Sequence, residues 1–315
     1  MPLIIIRFTA RILLINLANP ILQKMTRQIF LFLCMAFAFS SAGAQQPILV
    51  SPEWLYEHQK EPDLVILYTG FVIRADFERE HIEGSRFLWP DWLAFDTPEG
   101  SMFAPDLKTA TRVLQDLGIN RDSRIVICHK GNEVTIAARM FMTLEHFGLE
   151  GRVSFLNGGI EAWKRAGYPV TGAVSAFKKG NFTAILNHKL ADKNFVLQAL
   201  KDQSSYVVDA RVKRFFDGDP TGNPRDGHIS GALNLPYPDM VDSLNQFKPA
   251  EKLEALFSNV VPDKNKETVV YCFIGQTACV DYIAGRVLGY RMRVYDGSMQ
   301  EWSRDASLPM EKTKK

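Results

Sequence analysis

The chain predicts an α/β fold of two similar domains, each a mainly parallel sheet flanked by helices on both faces. Three observations carry that expectation. Short β-branched runs, among them Leu64-Val65-Ile66-Leu67, Ile125-Val126-Ile127 and Tyr206-Val207-Val208, alternate with helical apolar patterns, as in strand–helix–strand units of a sheet covered on both sides. Four sequence landmarks occur twice in one order. The run Thr268-Val269-Val270-Tyr271-Cys272 breaks into a short loop and hands over to a helix, the strand end where open α/β sheets gather their sites.

The elements follow in order. Ser51-Pro52-Glu53 places a capping serine before a proline at the first helical position, and Asp192 does the same work ahead of Phe195, Val196 and Leu200, since both side chains accept from N–H groups that a helix start leaves open. Strands Leu64-Val65-Ile66-Leu67 and Tyr206-Val207-Val208 come next. His81-Ile82-Glu83-Gly84-Ser85 is answered 147 positions later by His228-Ile229-Ser230-Gly231-Ala232. Cys128 closes a strand run 144 positions before Cys272 does, and Trp163 and Trp302, each ending a Leu/Tyr-Asn/Asp-Gly pattern, stand 139 apart. Loop insertions account for the drift. Thr171–Gly180, rich in small residues and lysine, reads as a linker. The expected divisions are residues 45–170, a linker 171–187, and residues 188–315.

The leader is a separate matter. From Met25 the chain carries Arg27, eleven apolar residues from Ile29 to Phe39, then Ser40-Ser41-Ala42-Gly43-Ala44, which resembles a secretory signal peptide cleaved after Ala44. Residues 1–44 are therefore set apart, and export to a periplasmic or extracellular space is expected. No clean run of about 20 apolar residues is present, so no membrane span is expected once the leader is gone. Leu33 before Cys34 argues against a lipid-modified cysteine. A formal charge of +2 is too small to infer nucleic-acid binding. After the leader only Cys128, Cys272 and Cys279 remain. Oxidising compartments favour paired structural cysteines, so three thiols without a disulfide framework point to reactivity. The cysteines and six histidines lack metal-ligand spacing, and no cofactor is expected.

Cys272 is the residue to which chemistry points. Its loop, Phe273-Ile274-Gly275-Gln276-Thr277, turns on Gly275 and runs into a helix marked by Val280, Ile283, Ala284 and Val287. Such a loop aims successive backbone N–H groups and a helix N-terminus at one point, which stabilises a sulfur anion without a metal.

Together with Asp209-Ala210-Arg211, Gly227-His228-Ile229-Ser230-Gly231-Ala232 and Tyr295-Asp296-Gly297-Ser298-Met299-Gln300-Glu301-Trp302, this loop makes nearly the whole chain after the leader resemble a tandem-domain rhodanese, the thiosulfate/mercaptopyruvate sulfurtransferase family. The resemblance implies that Cys272, in the C-terminal domain, is the catalytic residue and carries sulfur as a persulfide. Phe273, Ile274, Gly275, Gln276 and Thr277 would form its cradle, and the N-terminal domain would be catalytically silent. It implies an anionic sulfur donor, thiosulfate or 3-mercaptopyruvate, with Arg211, Arg214 and Arg225 as substrate-binding positions, and a thiophilic acceptor such as cyanide, a thiol or a protein cysteine. Arg211 pairing structurally with Asp209 is the competing reading. His228 is expected to fix a turn, and Trp163 and Trp302 to plug their cores. Cys279 and Cys128 are accessory thiols: Cys279 for packing or as a resolving thiol, Cys128 as a structural residue or a second sulfur site.

Departures from the family pattern bear on the donor. Phe273 and Ile274 are apolar where thiosulfate-type relatives carry cations and mercaptopyruvate-type relatives a small residue and a serine. An apolar rim suits a larger or less charged donor, or a protein acceptor. The N-terminal copy has Tyr68-Thr69-Gly70 in place of Asp209-Ala210-Arg211, and its loop is expected to reach its helix about three residues later than the loop after Cys272. Phosphatases on a related fold need an arginine six positions after the cysteine; Ala278 and Val134 stand there instead. A persulfide relay or partner-docking module would use the same cysteine and remains the alternative.

Overall fold

The computed structural model describes residues 45–71 and 74–313; the leader expected at 1–44 lies outside the described residues. The first half runs β1 (Leu49–Val50), α1 (Pro52–His58), β2 (Leu64–Thr69), α2 (Arg74–Arg79), β3 (Arg86–Leu88), a 3-10 turn (Pro90–Trp92), β4 (Phe95–Thr97), β5 (Gly100–Phe103), α3 (Leu107–Asp116), β6 (Arg124–Cys128), α4 (Val134–Leu144), β7 (Val153–Leu156) and α5 (Gly159–Arg165). The second runs β8 (Leu190–Ala191), α6 (Lys193–Asp202), β9 (Ser205–Asp209), α7 (Lys213–Asp217), β10 (His228–Ile229), β11 (Leu233–Asn234), a 3-10 turn (Tyr237–Met240), α8 (Ala250–Val260), β12 (Glu267–Tyr271), α9 (Ala278–Val287), β13 (Met292–Tyr295), α10 (Ser298–Trp302) and β14 (Met310–Glu311).

Each half holds a five-stranded parallel sheet, ordered β1-β7-β6-β2-β3 and β11-β9-β12-β13-β8. Parallel strands buried on both faces require continuous apolar runs, and Ile125-Val126-Ile127 and Val269-Val270 supply them at the sheet centres. The caps form as expected: Ser51 Oγ accepts from Trp54 N at 3.2 Å and Asp192 Oδ1 from Phe195 N at 2.8 Å. His228 holds its turn through Nδ1 and the Phe216 carbonyl at 2.7 Å, stacked on the Phe216 ring; His81 repeats this with Phe77 at 2.6 Å. Trp163 and Trp302 are fully buried and donate to the Pro169 and Pro309 carbonyls at 2.9 and 3.0 Å.

The two halves share one core. Helices α4 and α9 are buried nearly all round and pack on each other, so a single apolar cluster spans both halves while each outer face keeps its own smaller cluster. A helix apolar on every side has no solvent face to offer. The halves also exchange matching clasps. Phe247 N donates to Asn157 Oδ1 at 2.7 Å, and Ala104 N donates to Asp296 Oδ2 at 3.3 Å at the repeat-related position. The linker lies along the first half, with Phe182 buried and Gly180 N bonded to the Gln115 carbonyl at 2.8 Å.

One expectation is corrected. The loops after Cys128 and Cys272 are equally long, since α4 and α9 each begin six residues beyond the cysteine. Between the cysteine and the next strand the first half is five residues longer, and the extra length sits at the other end of α4, where Glu145–Leu149 widens into a π-turn, so it changes the helix exit rather than the loop. Among the described residues no helix is long and apolar enough to cross a membrane.

Candidate active site

Cys272 directly follows the central strand β12 of its sheet and is fully buried. Its first two peptide groups are pinned to the start of α10: Met299 N donates to the Cys272 carbonyl at 3.0 Å and Gln300 N to the Phe273 carbonyl at 2.9 Å. Cys272 N donates to Ser298 Oγ at 3.2 Å, and that hydroxyl donates to the Tyr295 carbonyl at 2.9 Å. With the carbonyls turned outward, the N–H groups of Phe273, Ile274, Gly275, Gln276 and Thr277 donate to no acceptor in the described protein. Five unpaired amides ahead of a helix N-terminus make an anion nest. Gly275, at φ +74°, supplies the turn; a Cβ there would lie 2.8 Å from the Asp296 carbonyl oxygen.

The N-terminal half braces this loop. Arg139, on the otherwise apolar α4, has no exposed side-chain surface; its Nη1 donates to the Gly275 carbonyl at 3.1 Å, and its Nη2 lies 2.7 Å from Asp296 Oδ1 as an ion pair without hydrogen-bond alignment. Cys279 Sγ donates to the same Gly275 carbonyl at 3.3 Å, and burial pushes the Cys279 thiol up. Gln276 Nε2 donates to Thr135 Oγ1 at 2.9 Å, while the Gln300 amide pairs with both backbone groups of Ser101 at 2.8 Å.

The three expected arginines separate. Arg211 is buried against Asp209, with Nε 2.9 Å and Nη2 2.6 Å from its carboxylate oxygens, and Nη2 also donates to the Gly227 carbonyl at 2.7 Å. Its Nη1 alone stays without a partner, and its guanidinium lies 5.0 Å from the Phe273 ring centroid. Arg214 is exposed, 4.5 Å from the ring of Phe215, which in turn meets Phe273 edge-on at 5.2 Å. Arg211, Phe273, Phe215 and Arg214 thus form one rim. Arg225 does not join it: its donors go to the carbonyls of Trp302, Ser303, Asp305 and Leu308, which makes it a brace for the loop after α10 and differs from the expected substrate contact.

Sequence reasoning missed four residues here. Arg139 is readable as a lone cation in a helix with no polar face. Asp296 lies inside a quoted motif without a role. Ser298, at φ +48°, occupies the repeat position of Gly159, itself at φ +59°, so a non-glycine residue holds a left-handed conformation beside the cysteine; such strain marks functional sites. Asp281 on α9 is fully buried with neither oxygen partnered. Burial, then the neighbouring Cys272, push its carboxyl well above the usual range.

The N-terminal loop is tied differently: Glu133 N donates to the Lys130 carbonyl at 3.1 Å, and a carboxylate of the same half takes one of its amides. Gly131 N donates to Glu161 Oε2 at 3.0 Å and Phe71 N, after β2, to Glu133 Oε2 at 3.2 Å, while His129 is buried with neither ring nitrogen hydrogen-bonded. Burial pushes the Cys128 thiol up. Among the described residues, no group of three or more His, Cys, Asp or Glu side chains is arranged to hold a metal.

Fold and site together define a tandem parallel α/β protein with one open, thiol-bearing anion nest and one plugged copy. The chain belongs to the rhodanese-like domain family, whose model matches residues 51–166 and 193–305. It is 29% identical over 278 residues to the 3-mercaptopyruvate sulfurtransferase of Escherichia coli K12, covering 84% of this chain and 98% of that one. Identity to the mouse (Mus musculus) thiosulfate sulfurtransferase is 29% over 277 residues, covering 82% and 92%. The crystal structure of SseA from E. coli superposes with a TM-score of 0.70 at 27% identity, covering 80% of this chain and 99% of that one.

Proposed function

We propose that this protein is a sulfurtransferase that carries one sulfane sulfur on Cys272. The observation that supports it most directly is the set of five unpaired amides from Phe273 to Thr277 around a strand-end cysteine, in a family whose relatives are named as sulfurtransferases. The Cys272 thiolate attacks the outer sulfur of an anionic donor and a new S–S bond forms. With thiosulfate, the donor's S–S bond breaks and its electron pair leaves as sulfite; with 3-mercaptopyruvate, the C–S bond breaks and the carbon takes a proton to give pyruvate. The persulfide's terminal charge rests among the loop amides, preorganised for it. A thiophilic acceptor, cyanide or a thiol, then takes that sulfur and the thiolate returns, a covalent cycle in two half-reactions.

Thiosulfate is the favoured donor. Arg211 Nη1 is the one donor of that guanidinium left for an oxyanion, and Arg214 stands at the rim. Phe273, Ile274 and Phe215 make the mouth apolar, which suits a thiol or protein-thiol acceptor. The leader pattern supports a reaction outside the cytoplasm. Purified protein is expected to form thiocyanate from thiosulfate and cyanide, Cys272→Ser to abolish it, and donor-treated protein to carry one extra sulfur on the peptide containing position 272. Turnover at background with thiosulfate and 3-mercaptopyruvate alike, or an unmodified peptide, would favour the docking-module reading.

A further inference from the structure

A cavity of about 400 Å³ lies in the N-terminal half between α2, β3, α3 and the linker, within the range of small-molecule sites. Its walls are Phe87, Trp92 and Phe177, the last two nearly half exposed. At its inner side sit Ser85 and Arg86. Ser85 is buried and its Oγ has no partner, an arrangement that costs free energy unless something else bonds it. Arg86 is half-buried, and burial alone acts on it. Its Nη1 donates to the Leu117 carbonyl at 2.7 Å and its guanidinium lies 4.6 Å from the Phe177 ring centroid. Among the described residues no carboxylate pairs with it, and Nε and Nη2, one edge of the guanidinium fork, donate to no protein acceptor. The other charges lining the cavity have partners: Arg74 pairs with Glu78, and Asp116 is shared by Arg112 and Lys179. An unpaired guanidinium therefore faces an aromatic-walled space.

The cation is no requirement of the fold. Arg86 opens edge strand β3 opposite Leu67, and in the other half the equivalent edge strand β11 opens with Leu233 opposite Val208. Phe177 belongs to the linker, which has no counterpart in the second half.

We propose that this cavity binds a small organic oxyanion with a flat apolar body, an aromatic carboxylate or sulfonate, with Arg86 Nε and Nη2 and Ser85 Oγ on the oxyanion and Trp92 and Phe177 against the body. A planar fork matches a planar or branched oxyanion, and aromatic walls match a flat ring. Inorganic phosphate or sulfate would leave those walls without contact. The site is independent of the chemistry at Cys272.

Isothermal titration of the purified full chain with 2-naphthoate and with 2-naphthalenesulfonate tests it. One saturable site per chain is expected, with neutral 2-naphthylmethanol and Arg86→Gln each weakening binding by about tenfold or more, the scale of one lost charge-assisted pair. Trp92→Ala should weaken it severalfold, and excess thiosulfate should leave it unchanged. Arg86→Gln should keep sulfurtransferase turnover, which separates this site from the reading of Cys272. If Arg86→Gln fails to fold, Arg86→Lys, Trp92→Ala and the neutral isostere on the unaltered protein still decide. No saturable binding, equal affinity for the neutral isostere, or displacement by thiosulfate overturns the proposal.

Discussion

Replacing Arg139 by methionine keeps the apolar stem of a buried side chain and removes its charge. The structure sets the scale. The guanidinium is wholly buried, its partner Asp296 keeps 17% of its side chain exposed, and their nearest atoms are 2.7 Å apart. Removing one partner of a buried pair costs about 3–5 kcal/mol because the other charge is stranded. Asp296 retains the Ala104 amide at 3.3 Å and some solvent, so the lower end, about 3 kcal/mol, is expected. Against typical stabilities of about 5–15 kcal/mol, the variant folds with a reduced urea midpoint. The Gly275 carbonyl also loses its charged donor and keeps only the Cys279 thiol. Hydrogen bonds to charged groups contribute about 1.5–3 kcal/mol. If half of that holds the amide nest in register, kcat/KM falls roughly tenfold. Urea denaturation of Arg139→Met, Asp296→Asn and the double variant, with thiocyanate formation measured on each, gives both quantities, and a coupling of about 2 kcal/mol is expected between the two sites. Turnover within twofold of the unaltered protein, together with a coupling below about 0.5 kcal/mol, would refute the idea that the N-terminal half positions the loop.

Gly275→Ala forces a side chain into φ +74° with its Cβ 2.8 Å from the Asp296 carbonyl oxygen; a loss of about 2 kcal/mol and a roughly tenfold fall in kcat/KM are expected, and normal turnover in a folded variant would remove Gly275 from the cradle. Ser298→Ala leaves the buried Cys272 amide without its acceptor, costing about 1–3 kcal/mol, whereas Ser298→Gly relieves the φ of +48° and should be milder; calorimetry that ranks the glycine variant below the alanine one would contradict this account. His129 and His146 are lowered to about 4 by burial, so between pH 6.5 and 4 the unfolded chain binds more protons than the native one. Stability should therefore fall as pH drops below 6.5, by about 3 kcal/mol per histidine at pH 4. Urea midpoints that stay level from pH 6.5 to 4.5 would show that these rings titrate normally.

Much of this protein is local in origin and so can be read along the chain. Apolar runs in Ile125-Val126-Ile127 and Val269-Val270, the caps at Ser51 and Asp192, and a cysteine before a glycine-turned loop each follow from backbone geometry within about ten residues. They determine two parallel sheets and the place of Cys272. Only the tertiary structure decides which copy is open. Glu161 and Glu133 meet the first half's amides, Gln300 at the position of Glu161 turns instead to Ser101, and Arg139 reaches Gly275 and Asp296 from 136 and 157 positions away. The same holds for Arg225, drawn to four carbonyls of a distant loop, and for the π-turn that follows α4. Periodicity states which way a residue faces, but the partner of a buried charge depends on how two surfaces far apart in sequence come together, and no local rule carries that information.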